Sequence, residues 1–215
     1  MTEHVDKARL QTDLRYRFDF LSKFIDFNQR DIEMLNQLTT IIFPQLPSIV
    51  ETIYKKLYFY DVTREYFLLR HDGFQTYSPS KDSGLTLDSV QIDYRKDMLT
   101  VFLKHVLSQR DWNDSFLEYL SRVGEIHTNR GGSSSINVDY FFVNALLCLL
   151  ENLFLDLIWN NDNYNQQQKR LAITSVNKFF WIQNHFFTMQ YDLAFQSKQV
   201  SSVSTVNFSR CLFFK

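Results

Sequence analysis

Five histidines, His4, His71, His105, His127 and His185, are the side chains of this sequence best suited to hold a metal or move a proton near neutral pH. None forms an HExxH pair and none lies close to Cys148 or Cys211, so the familiar zinc patterns are missing. A GxSxG elbow, a glycine-rich phosphate loop and a catalytic cysteine signature are missing too, which argues against a conventional hydrolase or kinase. Ser133 to Ser135 follow His127 closely, but serines beside two glycines read as loop solvation rather than as nucleophiles. His127 stands apart. A helix over Trp112 to Thr128 would carry Phe116, Leu120, Val123 and His127 on one stripe, in the stretch that ends RVGEIHTNRGG. An imidazole on an apolar stripe near a helix end has two readings: a core residue satisfied by one hydrogen bond, or an axial ligand. Spacing does not choose between them, and the first is the more frequent.

The elements that must position His127 read as helices. The 215 residues contain 5 glycines and 3 prolines, few breakers for a chain of many tight turns, and the expected class is all-α in one domain. A net charge of −1 gives no electrostatic footprint for nucleic acid. Two cysteines without metal or redox spacing read as reduced. The N-terminal residues lack a hydrophobic signal segment, and no uninterrupted apolar run approaches membrane-spanning length. A soluble, intracellular and cytoplasmic protein without a membrane partner is the expectation.

Asn28 with Asp31 resembles a cap before IEMLNQL, so a helix starts near Gln29, after LRYRFDFLSKFI. From Leu46 to Tyr58 apolar residues recur at helical spacing and bring two tyrosines onto the stripe, with a boundary near Asp61. Asp72 to Gly84 reads as a loop. A helix from about Leu87 to Ser108 would turn Val90, Tyr94, Met98, Val101, Phe102 and His105 inward. The glycines of NRGGSSS are placed to stop the His127 helix. Two long helices finish the chain, Val138 to Trp159 and Asn165 to about Gln196, and the first is apolar almost all round. The Ser/Val-rich remainder, 197–215, reads as a flexible tail.

With 21 Phe and 11 Tyr, such a core has room to wall a flat ligand, although an aromatic-rich core needs none. One inward histidine on an aromatic, all-α scaffold suits an iron porphyrin, whose iron takes one axial imidazole and whose faces need apolar walls.

The stretch VGEIHTNRGGSSSINVDYFFVNALLCLLENLFLDLIW resembles the proximal region of the protoglobins and the related fungal globin-sensor domains. The likeness extends to RYRFDFLSKFIDFNQRDIEMLNQL, IYKKLYFYDVTREYF, IDYRKDMLTVFLKHVLS and NKFFWIQNHFFTMQY, in the family's order over Leu14 to Tyr191. The resemblance implies a globin-like fold with an extra N-terminal helix and haem b sandwiched between helices. It places a globin-sensor domain at 14–196, an N-terminal extension at 1–13 and the tail after it. His127 matches the proximal iron ligand, with the carbonyl of Val123 as the natural acceptor for its second ring nitrogen. The distal side matches Leu57, Tyr58 and Met98, with Leu99 or Val101 as alternatives to Met98, and Phe102 joins the cofactor contacts. Tyr58 is the residue whose phenol would hydrogen-bond a bound ligand. Some members carry tryptophan where this chain has Leu57, so their pocket shape does not transfer.

The function implied is reversible binding of a diatomic gas, O₂, CO or NO, as a sensor or binder, in a homodimer built on the two last long helices. Two alternatives stand beside it. One is haem-dependent peroxidase or nitric-oxide chemistry, and the other is a haem-free interaction module that keeps the fold.

Overall fold

The computed structural model describes residues 2–68 and 90–211, so His71 and the expected loop from Asp72 to Gly84 lie outside the described residues. Among the described residues every regular element is helical. These residues hold nine α-helices in order: α1 (Lys7–Thr12), α2 (Leu14–Phe24), α3 (Gln29–Ile42), α4 (Leu46–Phe59), α5 (Asp61–Leu68), α6 (Val90–Ser108), α7 (Asp114–Ile126), α8 (Tyr140–Trp159) and α9 (Gln166–Cys211).

Local chemistry sets several of these ends. Asn28 and Asp31 form a capping box at α3, the carboxylate of Asp31 accepting from the Asn28 backbone at 3.0 Å. Asp31 is also buried, where Ser175 Oγ donates to it at 2.8 Å and Lys178 Nζ lies 3.0 Å away, tying α3 to α9. Pro44, in the short 3₁₀ turn Phe43–Gln45, and Pro47, in the first turn of α4, mark the bend between α3 and α4.

The core gathers around α9. α8, α7 and α3 pack on it, while α6 packs on α3 and α4. Phe154 of α8, Phe179 of α9, Leu38 of α3 and Leu120 of α7 are almost fully enclosed.

Three expectations are corrected, and one, on the apolar run of α8, gains a qualification. The inward face of α6 is Ile92, Leu103, Val106 and Leu107, while Val90, Tyr94, Met98 and Val101 are exposed, Met98 by 50%. Apolar residues are spread around α6, so helical spacing alone permitted either face, and contact with α3 and α4 decides it. The double glycine does not stop α7, which ends at Ile126, several residues earlier. α8 is, at 20 residues and a mean hydropathy of 1.9, long and apolar enough to cross a membrane, although Asn144, Glu151, Asn152 and Asp156 interrupt the run. Here Val143, Leu150, Phe154 and Ile158 bury one side of it. Finally, α9 crosses residue 196 without a break and continues to Cys211, since a helix already formed adds one bond per residue as it extends.

Candidate functional site

The site begins in the last turn of α7. Asn113 caps the helix start by accepting from Phe116 N at 3.0 Å, and Phe116, Leu117 and Leu120 bury its inner face. The same stripe carries Val123 and His127 toward the helix end. Gly124 lies between them where space is tight: a Cβ there would sit 3.0 Å from the backbone oxygen of Phe186, so a larger residue would push α7 and α9 slightly apart.

His127 caps α7 and its ring is held on two sides. Its Nδ1 lies 2.7 Å from the Val123 carbonyl oxygen; a carbonyl only accepts, so Nδ1 carries the proton and donates. Phe187 of α9 meets the ring edge-on, with centroids 5.1 Å apart. Burial holds the imidazole below its ordinary pKa, the Val123 contact opposes this, and the charge of Arg95 lowers it further. The ring is therefore a neutral imidazole, the form that ligates a metal.

The backbone behind the ring is equally tied. Val138 N donates to the His127 carbonyl at 2.9 Å, Ile136 N to that of Ile126 at 2.6 Å, and the Tyr191 hydroxyl contacts the carbonyls of His127 and Val138 at 3.0 and 2.6 Å. Thr128 is buried and gives its hydroxyl to Glu125 O at 2.7 Å. These contacts satisfy carbonyls that a helix end leaves orphaned. Gly132, at φ +64, then turns the chain toward α8.

α6 meets α7 through rings: Phe102 on Tyr119 at 6.3 Å and His105 on Tyr119 at 4.7 Å. Leu99 and Phe102 are half-buried and pack against the core, whereas Met98 points away from it. Leu57 and Tyr58 of α4 are half-buried too; the guanidinium of Arg64 covers the Tyr58 ring at 5.4 Å. Leu57, Tyr58, Leu99 and Phe102 thus all pack partly against the core, Phe102 through Tyr119 of the His127 helix.

One residue here, Arg95, escaped the sequence reading, and another, Tyr54, was read only as part of the α4 stripe. Arg95 of α6 donates from Nη1 to Tyr66 O at 3.1 Å and lies 5.1 Å over the Phe67 ring, while its buried Nη2 has no hydrogen-bond partner among the described residues. Tyr54 of α4 is buried beside Phe67, with centroids 5.8 Å apart; burial pushes its phenol up, and the charge of Arg95 pulls it back. Arg95 follows Ile92 by three residues and precedes Leu99 by four, so a charge at the period of the buried stripe was the available signal.

A groove of about 530 Å³ lies beside the His127 turn, against Thr128, Asp139, Tyr140 and Tyr191. The chemistry follows the imidazole, not the groove. Among the described residues no three His, Cys, Asp or Glu side chains cluster to form a metal cage, so a metal held here takes its remaining ligands from elsewhere.

A family model described as Protoglobin matches residues 14–196. The chain belongs to the protoglobin family. Among solved structures, the globin domain of a Geobacter sulfurreducens globin-coupled sensor resembles it with a TM-score of 0.63 at 15% identity, over 80% of this chain and 96% of that one. At that identity the likeness shows the all-α, globin-like fold. None of the curated proteins compared with the chain matches it. Protoglobin membership implies a haem cofactor, and the residues present fit one: a neutral imidazole with one ring nitrogen engaged, apolar side chains at Leu99 and Phe102, and an unpartnered cationic N–H.

Proposed function

We propose that this protein binds haem b through His127 and reversibly binds a diatomic gas, O₂, CO or NO, as a sensor or gas-binding protein of the cell interior. The observation that carries this reading is the His127 Nδ1 to Val123 O contact of 2.7 Å. It fixes the tautomer with Nδ1 protonated and leaves Nε2 as the basic nitrogen, the arrangement that raises the ligand strength of a metal-bound histidine. Haem iron, when bound, supplies an open coordination position for a small gas.

The rest falls to the chain's own residues. Phe187 and the Val123 carbonyl orient the imidazole, and the tied turn behind it resists displacement. Leu57, Leu99 and Phe102 offer apolar surface, and exclude water where they pack. Met98 and Tyr58 remain in the proposal as outer residues of the distal side, Tyr58 as the donor to a bound gas.

A homodimer through α8 and α9 belongs to the same reading. Exposed Phe141 and Trp159 on α8, with Trp181 at 59% and Phe195 on α9, present more apolar surface than water favours.

Absorption spectra test the function. Protein reconstituted with haem should shift its Soret band when CO meets the ferrous form, and His127→Ala should lose or alter that band. Identical spectra in the two proteins contradict ligation by His127, and a chain that takes up no haem favours the interaction module.

A further inference from the structure

The groove beside the His127 turn has a chemistry of its own. At about 530 Å³ it has room for a small organic molecule, and its lining includes Tyr66 of α5, Tyr140 of α8 and Tyr191 of α9, with Asp139, Asp192 and Lys198. The three tyrosine hydroxyls are engaged inside the protein. Tyr66 Oη accepts from Asp139 N at 3.3 Å, Tyr140 Oη bonds Asn184 Oδ1 and Thr188 Oγ1 at 2.8 Å each, and Tyr191 Oη reaches the carbonyls of His127 and Val138 at 3.0 and 2.6 Å. What they leave for a ligand is ring surface, with the Tyr140 and Tyr191 centroids 5.1 Å apart.

The carboxylates are placed differently. Asp139 Oδ1 caps α8 by accepting from Phe141 N at 2.9 Å, and neither Asp139 nor Asp192 forms an ion pair among the described residues. Arg17 feels the charge of Asp192 but gives its donors to His185 and the Leu10 carbonyl. Two carboxylates against one lysine leave the lining with one negative charge. A small anion meets repulsion there, and a metal ion finds no cluster of three His, Cys, Asp or Glu among the described residues. An organic cation meets both carboxylates and aromatic rings, the combination that holds ammonium groups.

We propose that this groove binds a small organic cation, an alkylammonium ion, and that the bound ion braces the turn that presents His127. The link is geometric. Tyr191 lines the groove and holds the His127 and Val138 carbonyls, and Val138 N closes the same turn on the His127 carbonyl at 2.9 Å. Binding here does not depend on haem, whereas its use as an effector site for a gas-binding iron rests on the haem reading above.

The full chain without haem is titrated calorimetrically with putrescine, a diamine, with the diol of the same length as an uncharged analogue, and with succinate as a charge-reversed one. Putrescine should bind about tenfold or more tighter than the diol, and succinate most weakly. Asp139→Asn, which keeps a capping side chain, and Asp192→Asn should each weaken putrescine by about threefold, while Lys198→Ala strengthens it by a similar factor. Bound putrescine should also slow amide hydrogen exchange at Ile136 and Val138, whose N–H groups close the turn. The proposal is overturned by absence of putrescine binding, by equal binding of the diol, by tighter binding of succinate, or by affinity unchanged in both folded aspartate variants. Binding that leaves exchange at Ile136 and Val138 unaltered overturns the bracing. Every titration uses the haem-free chain, so failure here and failure of ligation by His127 are separate results.

Discussion

The two walls of the candidate site are built differently. On the α7 side, the His127 ring, its carbonyl, the Ile126 carbonyl and the Thr128 hydroxyl each have a named partner, and Gly124 lets α9 press against the helix. On the α6 side, Arg95 keeps a donor without a partner among the described residues, Met98 is exposed, and the Tyr58 ring lies under the Arg64 guanidinium. The difference separates what packing determines from what it leaves open: the wall that presents the imidazole is set by packing and backbone bonds, whereas the α6 side keeps exposed side chains.

Substitutions can break or sharpen that contrast. The largest effect belongs to Leu120, enclosed on α7 and on the His127 stripe. Leu120→Ala should lower unfolding stability by about 2–5 kcal/mol through lost contacts and a residual cavity, measured by chemical denaturation.

Acid should act next, through the helix that supports the His127 wall. His185 of α9 has its pKa lowered to about 4, from an ordinary 6.5, by burial first and by Arg17 second. Below pH 6.5 the unfolded chain takes a proton that the folded chain refuses, so stability should fall between about pH 6.5 and 4 and be unaffected by this group above that window. The contribution, discounted for partial solvent access, is on the order of 1–3 kcal/mol. Denaturation midpoints against pH should show a slope that His185→Gln reduces, and an equal slope in both proteins would remove His185 from the account.

A smaller effect is expected at Tyr191, whose hydroxyl reaches the carbonyls of His127 and Val138. Tyr191→Phe should cost about 0.5–1.5 kcal/mol and increase hydrogen exchange in the turn after α7. At the far end of the scale, Met98→Ala should change apo-protein stability by less than about 0.5 kcal/mol, because an exposed side chain leaves no cavity. A cost there matching that of Leu120→Ala would show that the α6 wall is as firmly built as its counterpart.

The sequence displayed the first wall far better than the second. Asn28 and Asp31 announced the α3 cap, and Phe116, Leu120, Val123 and His127 announced the buried stripe of α7, because capping and a 3.6-residue period act locally. The Val123 acceptor was legible for the same reason: it lies one helical turn before His127. On α6 the period admitted two faces, and only the contact with α3 and α4 distinguishes Ile92 and Leu103 from Tyr94 and Met98. Arg95 was hidden by a sound habit. A charged residue is assigned to solvent unless a partner is seen, and a cation without one is visible only in three dimensions. Ser and Val after residue 196 read as fraying, yet propensity is a weak prior against a helix already many turns long.

The most direct test of the central claim is rescue of a cavity at the imidazole. His127→Gly, reconstituted with haem, should give an altered ferrous CO spectrum, and added free imidazole should restore the wild-type Soret band, since the small base can occupy the vacated position beside Val123 and Phe187. A variant whose spectrum already equals wild type, or one that imidazole leaves unchanged while the protein remains folded and haem-loaded, would contradict ligation through His127.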